Sequence, residues 1–165
     1  MAQGYPAERL QILAEAPRQV AALQRFGATD LDPTIRHLVE MRASQMNGCA
    51  FRLDMHWKDA RAAGEDEARL YLLDAWHESP DYSDRERAAL ALTEAVTRLE
   101  PGGVPDPVWD EAAARFDRAE LAALVCAIAA INTWNRLQIT TRAEPGHYQP
   151  GAFAAADAGN GGATR

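Results

Sequence analysis

Residues 47–56 read Asn-Gly-Cys-Ala-Phe-Arg-Leu-Asp-Met-His and form the most informative segment of the chain. The Asn47-Gly48 pair is a turn signal in front of a helix, so Cys49 lies where that helix starts. At about 100° per residue, Arg52 and His56 lie within about 60° of the direction of the Cys49 side chain. A cation, an imidazole and a helix N-terminus all lower the pKa of a neighbouring thiol. The segment therefore predicts a nucleophilic cysteine.

The composition indicates one domain that binds neither nucleic acid nor membrane. The chain has 165 residues, enough to bury a sizeable core, and its net charge of −7 argues against phosphate binding, which needs a basic face. Its apolar runs are shorter than the roughly 20 residues that span a bilayer. Two cysteines do not make a disulfide framework, and the first residues do not resemble a secretion signal. We therefore expect a cytoplasmic protein.

Apolar residues recur with the helical period along almost the whole chain. One helix is expected over residues 65–78, and a long apolar helix that starts after Asp117 is expected to be the central, most buried element. These patterns predict an all-α, single-domain helical bundle. Its expected parts are an N-terminal segment (1–16), the helical domain (17–145) and a flexible, Gly/Ala-rich tail (146–165).

Cys49 and His56 are the residues most able to carry chemistry. Cys126 lies in an apolar run, where burial makes a thiol inert, whereas Cys49 has polar neighbours. His56 lies two helical turns after Cys49 and is placed to act as a base or proton relay toward the thiol. One thiol and one imidazole are too few ligands for zinc. We therefore expect no metal ion and no cofactor.

The segments 42–56, 58–64 and 131–137 together resemble the carboxymuconolactone decarboxylase/AhpD-like alkyl hydroperoxidase family. The resemblance implies an all-helical fold that assembles as homotrimers or homohexamers. For the AhpD branch it also implies an antioxidant activity, the thiol-dependent reduction of peroxides. In that branch a Cys-x-x-Cys pair cycles between dithiol and disulfide, assisted by a histidine four residues after the second cysteine and by an upstream glutamate.

Cys49 matches the first cysteine of the family motif and His56 matches its histidine, but Arg52 stands in place of the second cysteine. His37 stands where the family places the upstream acid. Glu40 lies one helical turn later on a similar face, so it either orients His56 or forms a salt bridge, for example with Arg52.

The resemblance leaves two classes of function open. In the first, Cys49 is the lone catalytic thiol of a peroxidase, His56 and Glu40 assist it, and an external thiol reduces the sulfenic acid. In the second, the site binds a small acid instead of a peroxide. The protein is then either a catalytically inactive oligomer that binds a small acidic ligand, or an enzyme like carboxymuconolactone decarboxylase. Arg52 suits either class, because it stabilises a thiolate and also binds a carboxylate.

Overall fold

The computed structural model describes residues 6–153, and its secondary structure in this range is helical. A 3₁₀ turn, Leu73–Ala75, follows the fifth helix. The helices are α1 (Ile12–Glu15), α2 (Pro17–Gly27), α3 (Pro33–Asn47), α4 (Ala50–Ala62), α5 (Glu67–Leu72), α6 (Asp84–Thr97), α7 (Asp106–Arg115) and α8 (Arg118–Thr141). The predicted all-α, single-domain fold is confirmed.

Local sequence signals place both ends of α3. The carboxylate of Asp32 accepts hydrogen bonds from the backbone N–H groups of Thr34 and Ile35, at 3.0 and 3.1 Å, and Pro33 occupies the first turn. At the other end, Gly48 adopts a left-handed conformation with φ +67°, which a residue without a Cβ reaches at low cost. Only Cys49 separates this glycine from the first residue of α4, so α3 and α4 meet at a tight corner.

The helix α8 contacts α1, α2, α3, α4, α6 and α7, which confirms its central position. It begins with a capping box, in which Asp117 and Glu120 satisfy each other's backbone N–H groups. Its apolar residues fill two parts of the core, one with α3, α6 and α7 and the other with α2 and α3. Trp134 belongs to the second part and Trp76 to a third part between α3 and α6.

The helix predicted over residues 65–78 is shorter than expected. The regular helix ends at Leu72, and after the 3₁₀ turn the chain leaves helical geometry. The guanidinium of Arg87 on α6 stabilises this departure, because it donates hydrogen bonds to the backbone carbonyls of Trp76 and His77 at the end of the predicted helix. It also donates to the carbonyls of Ser79 and Tyr82 beyond it.

Part of the predicted tail packs on the helical domain. Residues 146–153, called the strap below, lie against α4, and the Tyr148 side chain is buried. The sequence predicted flexibility from the glycines and prolines of this segment and gave no weight to its aromatic rings. Residues 154–165 of the predicted tail lie outside the described residues.

Among residues 6–153, none of the helices combines the length and the apolar character needed to cross a membrane.

Candidate active site

A cavity of about 470 Å³ lies between α2, α3, α4, α8 and the strap. This volume is within the range typical of small-molecule sites. Its apolar lining includes six glycine and alanine residues, which leave room beside the helices. Its polar lining includes three of the residues predicted from the sequence, Glu40, Arg52 and His56. Cys49, the fourth, is not among the described residues that line it.

The buried His56 and the partly buried Glu40 form a pair across the α3–α4 corner. The Nδ1 atom of His56 lies 3.1 Å from Oε2 of Glu40, and the His56 residue is only 5% exposed. Burial raises the pKa of Glu40, but the charge and hydrogen bond of His56, with smaller contributions from Arg36 and His37, hold that pKa below its ordinary value. Glu40 is therefore a carboxylate at neutral pH. The Glu40 carboxylate accepts a hydrogen bond from the Nδ1–H group of His56. The other ring nitrogen, Nε2, is therefore the atom that exchanges a proton.

Glu40 thus lies beside His56 and forms no salt bridge with Arg52, and its role as the residue that orients His56 stays a prediction. The Nε2 atom of His56 is covered and has no hydrogen-bond partner among the described residues.

Arg52 is a buried cation that forms no salt bridge with the carboxylates of the described residues. The residue is 6% exposed, and it makes no ion pair within residues 6–153. Its guanidinium lies over the Trp134 ring, 4.4 Å from the centroid, and its Nη1 atom is 3.5 Å from the sulfur of Met55. Its Nε atom is buried without a partner. Burial lowers the pKa of Arg52 to about 10, against the opposing charges of Cys49 and Glu40, so the side chain remains charged at neutral pH.

Cys49 differs from the expectation of a reactive thiol. It is the N-cap residue of α4 and is 1% exposed. Burial raises the pKa of the Cys49 thiol above its ordinary value, although the Arg52 backbone and guanidinium, the Asn135 amide and the Phe51 backbone all favour the thiolate. The predicted decrease in the pKa is therefore wrong. The helix start and Arg52 do favour the thiolate, but the loss of water outweighs them.

Two further cavity residues, Tyr148 and Asp59, have no counterpart in the sequence prediction. Tyr148 of the strap donates a hydrogen bond from its hydroxyl to the Asp59 carboxylate on α4, with an oxygen–oxygen distance of 2.8 Å. Burial and Asp59 raise the pKa of Tyr148 to about 12, so the hydroxyl keeps its proton at neutral pH. A Tyr and a Phe within an otherwise Gly- and Pro-rich segment were the available signal for a packed strap.

His37, to which the sequence gave no role, lines the cavity beside Arg36. Burial lowers the pKa of His37 below its ordinary value in spite of Glu40, and Arg36 adds to this decrease. His37 is thus neutral at pH 7. The structure brings together Glu40, His56 and Arg52, with His37 on the same cavity, and leaves Cys49 outside it.

Comparisons with known proteins agree with this fold. A model of the carboxymuconolactone decarboxylase family matches residues 13–95. The uncharacterised Bacillus subtilis protein YdfG is 44% identical over 111 residues, which cover 67% of this chain and 76% of YdfG. A solved structure from Agrobacterium tumefaciens superposes with a TM-score of 0.80 and 36% identity, covering 86% of this chain and 100% of that one. It is a protein of unknown function for which an antioxidant defence role as AhpD has been suggested.

A more distant structural neighbour is the debrominase Bmp8, with a TM-score of 0.71 and 18% identity, covering 82% of this chain and 75% of Bmp8. A likeness at this identity shows a common fold only.

Proposed function

Because this chain belongs to the carboxymuconolactone decarboxylase family, we propose that its cavity binds a small carboxylic acid and moves a proton on it. The buried, unpaired guanidinium of Arg52 carries this proposal. An isolated charge in the interior is costly unless an opposite charge meets it, and Arg matches the planar geometry of a carboxylate. An anionic ligand supplies the partner that the surrounding protein residues do not.

The Glu40–His56 pair supplies the acid–base chemistry beside this cation. A neutral His56 accepts at Nε2 a proton from a carbon atom whose C–H bond is acidified by a neighbouring carbonyl group. The C–H bond breaks, and its electron pair delocalises onto that carbonyl oxygen. Glu40 stabilises the imidazolium that forms, and Arg52 stabilises the negative charge on the substrate. In the reverse direction, His56 returns the proton to a carbanion, including one left by the loss of CO₂.

Replacing Arg52 tests the binding step. We expect 3-phenylpropionate to bind the protein in isothermal titration calorimetry, and the uncharged 3-phenylpropionamide to bind at least tenfold more weakly. Arg52→Met is expected to weaken phenylpropionate binding by at least tenfold, which corresponds to about 1.4 kcal/mol. Arg98→Met is the matched control, because Arg98 is exposed and lies outside the cavity. Equal binding of the acid and the amide, or an unchanged affinity in Arg52→Met, would contradict the proposal.

Hydrogen–deuterium exchange tests the proton transfer. The protein is expected to accelerate exchange at C3 of phenylpyruvate in D₂O, followed by NMR, and His56→Gln is expected to reduce this acceleration by about 100-fold or more. His77→Gln is the control, since His77 is exposed and remote from the cavity lining. Binding without any acceleration would instead identify a catalytically inactive binding protein.

Thiol-dependent peroxide reduction is the second candidate, and one observation favours it. The Arg52 backbone and guanidinium and the Asn135 amide all stabilise a thiolate at Cys49, as a peroxide-reactive cysteine requires. In this function Cys49 attacks a hydroperoxide and becomes a sulfenic acid, which an external thiol reduces. The burial of Cys49 and its position outside the cavity favour the carboxylic acid function over this one.

A further inference from the structure

The strap forms one wall of the cavity through residues Tyr148, Pro150, Gly151 and Phe153. It is fastened to α4, the helix that also carries Arg52 and His56. The Gly146 backbone N–H donates to Asp54 at 3.0 Å, and the Lys58 ammonium donates to the Tyr148 carbonyl at 3.1 Å. Asp54 and Lys58 also form an ion pair of 2.9 Å with each other. These two contacts therefore attach the strap backbone to the same helix that carries Arg52 and His56.

The Tyr148 ring is fixed from two directions. Its hydroxyl donates to Asp59 and accepts a hydrogen bond from the Gly151 backbone N–H at 3.2 Å, which closes the strap into a compact turn. Its face stacks on the Phe153 ring, with centroids 5.5 Å apart and planes inclined by 25°. Tyr148 is only 8% exposed. A ring held in this way is a rigid part of the cavity wall.

A third aromatic side chain, that of Trp134 on α8, also lines the cavity. The Trp134 ring stacks under the Arg52 guanidinium, so the expected carboxylate position lies next to an indole. Small side chains line the same cavity, among them Ala28, Ala62 and Ala130. Aromatic faces favour stacked or edge-to-face contacts with other rings, and the small residues leave space for a flat group.

We propose that Tyr148 is a specificity-determining residue and that, with Phe153, it selects carboxylic acids with a planar, aromatic body. This inference rests on the proposed binding of a carboxylate by Arg52 and adds the class of acid that the site takes. The carboxylate contacts Arg52, and the ring of the ligand packs against the strap. A cavity of about 470 Å³ accommodates a single ring with a short acidic side chain.

A pair of matched acids tests the inference. Both 3-phenylpropionate and 3-cyclohexylpropionate carry the same chain and charge, but only the first has a planar ring. In isothermal titration calorimetry the protein is expected to bind the phenyl acid about three to ten times more tightly, as aromatic contacts predict. In Tyr148→Leu, the ratio of the two affinities (phenyl acid to cyclohexyl acid) is expected to be close to one. Tyr148→Phe, which keeps the ring and loses the Asp59 contact, is expected to weaken both acids alike and keep the ratio.

Two further variants separate specificity from folding. Tyr71→Leu is the matched control, because Tyr71 is 69% exposed and lies outside the cavity lining, and its ratio is expected to stay unchanged. Phe153→Leu leaves the Tyr148–Asp59 contact in place and is expected to lower the ratio as Tyr148→Leu does.

The outcomes distinguish the two proposals. If the phenyl-to-cyclohexyl affinity ratio is the same in Tyr148→Leu as in the unmodified protein, and binding still depends on Arg52, the role of Tyr148 is overturned. The proposed function then stands. Binding that does not depend on Arg52, or the absence of binding by either acid, overturns the proposed function and the inference together.

Discussion

At the scale of single residues, Arg52 and Cys49 lie three positions apart in sequence but have different surroundings. The sequence placed both on one face of a helix, and the thiolate-stabilising contribution of Arg52 follows from that spacing. The sequence does not reveal how much water reaches the thiol, because burial depends on how distant helices pack around it. One of its contacts, the Asn135 amide, comes from α8, some 85 residues further along the chain. Arg52 itself lines the cavity, where its charge is available to a ligand.

The pH dependence of Cys49 alkylation measures whether burial or the Arg52 charge has the larger effect on the pKa of the thiol. In a Cys126→Ser background, the rate of reaction with iodoacetamide is expected to rise with pH and to give an apparent pKa above the free-thiol value of about 8.5. Burial raises the pKa because it disfavours the thiolate, and reaction at pH 7 is therefore slow. Arg52→Met is expected to raise this pKa further, since it removes the nearby cation.

A Cys49 pKa below 7 would contradict the prediction and would support the peroxidase candidate instead. Alkylation of the urea-unfolded protein is the control, because unfolding removes both the burial and the Arg52 charge.

At the scale of elements, the α3–α4 corner brings Glu40 to His56. The sequence predicted this corner from Asn47-Gly48 and placed Glu40 on the helix before it, so the acid–base pair was within reach of prediction. The cavity that the pair lines could not be predicted, because α2, α8 and the strap also form its walls. Local signals place the ends of helices, whereas the spaces between helices depend on contacts between distant parts of the chain.

Gly48→Ala tests the corner. Gly48 has φ +67°, and a Cβ built on it meets no other atom within 4 Å, so backbone strain is the only cost of the substitution. We expect a loss of roughly 1 kcal/mol in the free energy of unfolding, measured by urea denaturation. Gly48→Asn is the control, because Asn tolerates the left-handed conformation and is expected to cost less. An alanine variant as stable as the unmodified protein would contradict the prediction.

At the scale of the whole molecule, α3 and α8 are held together by buried polar groups as well as apolar ones. The Asn135 side chain accepts from the Asn47 amide at 2.8 Å and donates to the Ser44 hydroxyl at 3.0 Å. Asn132 accepts a second hydrogen bond from Asn47, at 2.9 Å, and donates to Thr97 on α6. The helical period predicts that α8 is buried and places Asn132 and Asn135 on its inward face, but it does not reveal that they bond to side chains on α3 and α6.

This network joins three helices around the loop that carries Cys49, and its loss should affect the stability of the entire domain. Asn135 is fully buried. In Asn135→Ala, Ser44 loses its donor and Asn47 loses one of two acceptors, while a small cavity forms. We therefore expect the free energy of unfolding to fall by roughly 1 to 3 kcal/mol, measured by urea denaturation.

Thr133→Ala is the control on the same helix, because Thr133 is exposed and its hydroxyl bonds only within α8. If both variants unfold at the same urea concentration, the asparagine network does not hold α3 to α8, and apolar packing between these helices is sufficient.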